Sequence, residues 1–136
     1  MNYTIATLGS HSCLQILKGA KEEGFSTLAI ATPKMARFYR HYPFIDEIRE
    51  ISDWSEFFAL EDDLVDKNVI IVPHGSFVAY LGLEENKKMK VRTFGNRSVL
   101  DWEADRTLQR DWLMRSQIRI PHEFQNGNEI NRLVIV

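Results

Sequence analysis

The sequence predicts an α/β domain with an open, mainly parallel sheet flanked by helices, and three observations carry that expectation. Short apolar β-type runs alternate with helix-type segments along the 136 residues, the pattern of a sheet built from strand–helix–strand crossovers. Residues 26–31 and 69–72 are nearly unbroken hydrophobic stretches, as required of strands covered on both faces. Two strand ends run into corners rich in glycine, serine and histidine, and such sheets bind ligands just beyond the carboxyl ends of their strands.

The elements follow in order. Residues 3–8 form a short β-compatible run that stops at Gly9-Ser10. A helical period begins at Ser12, with Leu14, Ile16, Leu17 and Ala20 inward and Gln15, Lys18, Lys21 and Glu22 outward; Gly24 stands where a C′ glycine belongs. The second strand, 26–31, is stopped by Thr32-Pro33. Residues 45–51 alternate imperfectly as a further strand. Residues 55–65 read as one acidic helix capped by Ser55 or Asp53. The buried-type strand 69–72 enters Pro73-His74-Gly75-Ser76, and 77–83 looks helical. Residues 90–94 suggest another strand, ending at Gly95-Asn96. The longest helix is expected over 98–116, with Leu100, Ala104, Leu108 and Trp112 on one stripe. Residues 125–131 form a polar turn, and 133–136 read as a last apolar strand.

Composition narrows the function. Hydrophobic residues at 44% and charged residues at 26% are ordinary for a globular domain with a single core. A formal charge of −2 gives no overall basic field for a nucleic acid or an anionic membrane. A single cysteine, Cys13, leaves no internal disulfide framework and suits a reducing cytoplasm. No apolar run approaches the roughly 20 residues that span a bilayer, so a soluble, cytoplasmic protein is expected.

The two corners are where chemistry is expected. In Thr7-Leu8-Gly9-Ser10-His11-Ser12, Gly9 permits a tight turn or close ligand approach. Ser10, His11 and Ser12 would stand at a helix N-terminus, where free N–H groups and the dipole favour an anion. The plainer alternative is that Ser10 or Ser12 only caps the helix. The corner is neither G-x-G-x-x-G nor G-x-x-x-x-G-K-[ST], so the dinucleotide and P-loop fingerprints are absent. In Pro73-His74-Gly75-Ser76-Phe77, Ser76 offers a hydroxyl and an N–H at a second helix start. It lacks the G-x-S-x-G setting of a nucleophile, which leaves ligand contact or capping.

The four histidines, His11, His41, His74 and His122, have no helical metal spacing, and no metal site is expected in this chain. Cys13 is expected as a small buried hydrophobe. Arg37, Arg40 and His41, among Phe38, Tyr39 and Tyr42, form a basic-aromatic cluster that fits either a nucleotide contact or a surface segment. Arg97, in Phe94-Gly95-Asn96-Arg97, fits either phosphate or an ordinary helix entry. Trp102, Glu103 and Arg106 read as packing and solvated charge.

Joined in order, these blocks resemble the archaeal PurP family. The resemblance rests on Ile5-Ala6-Thr7-Leu8-Gly9-Ser10-His11-Ser12, Ile16-Leu17-Lys18-Gly19-Ala20-Lys21, Glu23-Gly24-Phe25-Ser26-Thr27, Val72-Pro73-His74-Gly75-Ser76-Phe77, Phe94-Gly95-Asn96-Arg97, Trp102-Glu103 and Arg106-Thr107-Leu108. Residues 40–66 carry no matching motif. The resemblance implies a formate-dependent ligase of the ATP-grasp superfamily that formylates 5-aminoimidazole-4-carboxamide ribonucleotide (AICAR) to FAICAR with ATP and Mg2+. A formyl phosphate would be attacked by the 5-amino group of AICAR. It implies that residues 1–120 are the Rossmann-like pre-ATP-grasp domain and that 121–136 begin the ATP-grasp region. It further implies that His11 and Ser76 contact the AICAR nucleotide, with Gly9, Ser10 and Gly75 as weaker candidates.

Catalytic and ATP-binding residues would then lie beyond Val136, in a part missing here, and the 136 residues alone would not turn over. The sequence is accordingly expected to be a truncated piece of a longer polypeptide that works as a homo-oligomer, with small-molecule substrates and without nucleic acid or membrane. Two alternatives stay open: a stand-alone α/β module for a small anionic metabolite, and the equivalent domain of another ATP-grasp ligase.

Overall fold

The computed structural model describes residues 3–134. Its centre is a five-stranded, all-parallel sheet in the order β3-β2-β1-β4-β5, built from β1 (Thr4–Leu8), β2 (Ser26–Ala31), β3 (Glu47–Glu50), β4 (Val69–Ile71) and β5 (Arg92–Thr93). The open, mainly parallel sheet flanked by helices is thus borne out. From β1 the chain first builds outward through β2 to β3, then returns to the other side of β1 to lay down β4 and β5. The order therefore reverses between β1 and β4, the place where open α/β sheets leave a crevice at their strand ends.

Alternation along the strands feeds two cores. Ala6 and Leu8 of β1, Leu28 and Ile30 of β2, and Val69 and Ile71 of β4 face one core with Phe57, Leu64, Phe77, Leu81 and Val91. Ala29 and Ala31 face the other, against Cys13, Leu17, Ala36 and Tyr39. That second layer is α1 (Cys13–Glu22) and α2 (Pro33–Tyr39). Gly24 ends α1 as expected: at φ +85° its N–H bonds Lys21 O and the Phe25 N–H bonds Ala20 O, both at 3.0 Å, a Schellman closure that favours glycine.

Several boundaries differ from the sequence reading, each for a local reason. Helix α2 was not expected. Thr32 is extended (φ −68°, ψ 158°) and Pro33 opens the helix, where its fixed φ and missing N–H cost nothing. The acidic helix is two pieces, a 3-10 turn Trp54–Leu60 and α3 (Glu61–Asp66); the cap is Asp53, which accepts from Ser55 N at 2.9 Å. The helix after the second corner continues past a break at Gly82, φ +78°, as α4 (Ser76–Leu81) and α5 (Leu83–Lys88).

The long terminal helix is likewise α6 (Val99–Ala104) and α7 (Arg106–Arg115). Asp105 is extended and accepts from Thr107 N at 2.7 Å and Leu108 N at 3.0 Å, so it caps α7 in place of continuing α6. Beyond α7 a short 3-10 turn, Gly127–Glu129, occupies the expected polar turn. Leu133 and Val134 form no strand and Leu133 is fully exposed; the rest of the expected last strand, Ile135 and Val136, lies outside the described residues. Among the described residues no helix is long and apolar enough to cross a membrane.

Candidate functional site

The parallel ladder brings the two corners together. Thr4, Ile5 and Ala6 pair with Val69, Ile70 and Ile71, and Val72 N adds a bond to Ala6 O at 2.8 Å. One residue further, the buried Thr7 hydroxyl donates to Val72 O at 2.8 Å. Strands β1 and β4 are therefore held in register up to the point where each chain turns into its corner. Immediately beyond, the Ser10 and Ser76 hydroxyls lie 2.7 Å apart.

Four polar groups converge there. Ser10 is only 6% exposed; besides Ser76, its Oγ lies 3.2 Å from His11 Nδ1 and 3.4 Å from the Tyr80 hydroxyl. His11 is exposed at the mouth of the corner. Tyr80 sits one turn beyond Ser76 on α4, its ring stacked on Trp54 with centroids 4.5 Å apart and 8° between planes. The capping alternative fails for the serines of both corners, since Ser12 makes no side-chain cap to α1 and the Ser10 and Ser76 hydroxyls bond each other.

The two candidate glycines differ. Gly9 is buried, and a Cβ there would stand 2.7 Å from Tyr39 Cε2 and 2.9 Å from Ala31 Cβ. Its missing side chain makes room for Tyr39, whose hydroxyl donates to Ser10 O at 3.0 Å; internal packing, more than ligand approach, accounts for it. Gly75 is exposed, has open space on its Cβ side and has an ordinary negative φ. Nothing inside the fold demands glycine there.

Open clefts flank the serine bridge. One, about 470 Å³, is lined by Ser10, His11, Lys34, Phe38, Tyr39 and Tyr80. The other, about 780 Å³, is bordered by His74, Gly75, Phe94, Asn96, Glu103 and Arg106. Each receives one cation, Lys34 or Arg106. Concave sites with a few convergent polar groups suit small ligands, and hydroxyls, an imidazole and cations suit an anionic one.

The remaining candidates sort clearly. Arg97 is engaged inside the fold, donating to Thr93 Oγ1, Met89 O and Val91 O, which favours the structural one of the two roles its setting left open. Arg40 pairs with Glu50 and the His41 ring with Phe38 O; of that basic-aromatic cluster, Phe38 and the largely buried Tyr39 line the cleft. Glu103 and Arg106 border the larger cleft, which the reading of solvated charge missed. Cys13 is buried as expected, and burial pushes its thiol up to about 11, opposite to what a helix dipole alone would do. Among the described residues no three histidine, cysteine or acidic groups converge to hold a metal ion. Tyr80 was legible as the residue one turn on from Ser76, and His74 belongs to the corner already singled out; Trp54 and Lys34 join the site through tertiary packing that no local spacing announces.

Comparison with known proteins follows the same outline. A family described as "Protein of unknown function (DUF1246)" matches residues 5–124. The relative from Methanosarcina acetivorans, named 5-formaminoimidazole-4-carboxamide-1-(beta)-D-ribofuranosyl 5'-monophosphate synthetase, is 47% identical over 99% of this chain. One of the same name from Pyrococcus horikoshii is 44% identical over 97%. The chain spans 38% of the length of each of these two. A crystal structure described as an IMP biosynthesis protein PurP from Thermococcus kodakaraensis is similar with TM-score 0.74 and 38% identity, over 90% of this chain and 41% of that one. The biotin carboxylase domain of a Hydrogenobacter thermophilus 2-oxoglutarate carboxylase, at TM-score 0.59 and 17% identity over 83% of this chain and 27% of its own, shares the fold. The chain belongs to the DUF1246 family, and its likeness to the PurP synthetases extends over nearly its whole length.

Proposed function

We propose that this chain is the substrate-binding part of an ATP-dependent ligase that converts AICAR, formate and ATP to FAICAR, ADP and phosphate in IMP biosynthesis. In this reading residues 1–120 form the pre-ATP-grasp domain, and 121–136 lead into an ATP-grasp region that supplies the ATP and Mg2+ sites. The complete enzyme works in the cytoplasm as a homo-oligomer. The observation that carries the reading is the meeting of Ser10, His11 and Ser76 at the strand-order reversal, in a chain similar to synthetases named for the formylated ribonucleotide, the product of this reaction. His11 and Ser76 bind the nucleotide, Ser10 shares their hydrogen bonds, Gly75 lets it approach the backbone, and Gly9 shapes the corner behind it. The Hydrogenobacter domain, described in complex with MgADP and bicarbonate, supports the ATP-grasp part through its fold alone.

The test is an AICAR titration of the 136-residue chain followed by backbone amide shifts. Binding in the millimolar range or tighter, with shifts at residues 9–12 and 75–77, is expected. His11→Ala and Ser76→Ala should each weaken it by about tenfold, the loss of one charge-assisted hydrogen bond. Unmoved amides in both corners at saturating AICAR would refute the assignment. FAICAR formation from formate, ATP and AICAR by the complete protein tests the reaction, and ATP hydrolysis without FAICAR would point to another amine substrate.

A further inference from the structure

His74 is attached to both corners at once. Its Nε2 lies 3.1 Å from Leu8 O, at the end of β1, and its Nδ1 lies 3.3 Å from Ser76 N, at the start of α4. A carbonyl oxygen only accepts, so Nε2 carries the hydrogen. A backbone N–H only donates, so Nδ1 presents its lone pair. Neutral imidazole has one donor and one acceptor, and these two bonds consume both. The ring is half-buried and edge-on to Phe77, centroids 5.2 Å apart at 81°.

We propose that His74 is a positioning residue: as the neutral tautomer protonated on Nε2, it staples β1 to α4 and thereby sets the approach of Ser10 to Ser76. Leu8 precedes Ser10 by two residues and the second bond falls on Ser76 itself, so the staple bears on the same pair of residues whose hydroxyls lie 2.7 Å apart. Thr7 fixes the strands just below this level; His74 carries the constraint around the turn. An imidazolium would direct two donors at these partners and set Nδ1–H against the Ser76 N–H. Burial, with the nearby His11 adding to it, holds the His74 pKa below its ordinary value, in keeping with the neutral form. This inference rests on the reading that both corners bind the nucleotide.

Two variants separate the bonds. His74→Asn keeps an oxygen able to accept from Ser76 N, as in an Asx turn, but does not reach Leu8. His74→Gln reaches Leu8 with a donor and loses the local turn. Nitrogen-15 spectra of the wild-type imidazole should show protonated Nε2 and bare Nδ1 at neutral pH. AICAR affinity should fall about tenfold in His74→Asn and within about threefold in His74→Gln, the difference expected for one organising hydrogen bond. Wild-type affinity in His74→Asn, or a hydrogen found on Nδ1, would overturn the proposal. A wild-type chain that ignores AICAR would instead overturn the ribonucleotide reading, while the tautomer measurement still decides the staple.

Discussion

Gly9 and Tyr39 form a lock that the rest of the first corner depends on. The Tyr39 ring fills the space a side chain at position 9 would take, and its hydroxyl fixes Ser10 O. Gly9→Ala should therefore cost about 1–3 kcal/mol through overpacking, read by denaturant unfolding. In a Tyr39→Ala background the same change should cost less, since the nearest clash is gone; equal costs in both backgrounds would show that the ring is not the obstacle. At this scale the sequence was partly legible. His11, Ser10 and Ser76 stood out because polar residues where a strand runs into a helix either cap that helix or meet a ligand. The demand on Gly9 was legible as a demand, but its source, a tyrosine thirty residues on, is a tertiary contact that no local pattern encodes. Arg97 stayed open for a related reason: an arginine after a glycine turn suits a phosphate and a set of carbonyls equally well, and only the path of residues 89–93 decides between them.

Elements were legible where hydrophobic pattern and stop signal agreed. Strand β2 falls on the expected residues because an apolar run is bounded by Gly24 and Thr32-Pro33. The break between α6 and α7 escaped notice because the i, i+4 stripe of Leu100, Ala104, Leu108 and Trp112 runs straight through it. Asp105 is a strong N-cap, and a carboxylate accepting from two orphan N–H groups outweighs the one residue of helix it interrupts. Asp105→Ala should destabilise α7 by about 1 kcal/mol and speed hydrogen exchange at the Thr107 and Leu108 amides, while Asp105→Asn preserves most of their protection. Unchanged exchange in the alanine variant would mean that the helix start is held by something other than this side chain. The same competition explains the acidic segment, where Asp53 and not Ser55 sets the start of the 3-10 turn.

For the whole molecule, acid stability and solution behaviour follow from opposite ends of the chain. Asp46 ties the segment before β3 to α1 and β2 by accepting from Lys21 Nζ at 2.6 Å and Thr27 N at 2.9 Å, and these donors, Lys21 first, hold its carboxyl below the usual range. A depressed folded-state pKa gives stability that is complete above the unfolded value of about 3.9 and disappears as pH falls through the folded one. Wild type should thus exceed Asp46→Asn in thermal midpoint near neutrality, by a modest amount because the pair is partly exposed, and the gap should close below about pH 4. A gap that persists at lower pH would assign the effect to the Thr27 bonds alone. The other end of the chain is less well covered. Helices α6 and α7 bury no residue, and Leu108, Trp112, Met114 and Ile118 are 39–53% exposed. Helices of this length are marginal without a packed face, and contiguous exposed apolar surface drives association. The 136-residue chain should therefore self-associate as its concentration rises from micromolar toward millimolar, seen as a rising mean mass in sedimentation. Leu108→Glu together with Trp112→Gln should restore the monomer without disturbing the amides of the two corners, which lie on elements packed into the cores. A monomer at every concentration would show that α6 and α7 satisfy each other, and the stripe would then be an internal seam of their own hairpin and not a face awaiting cover.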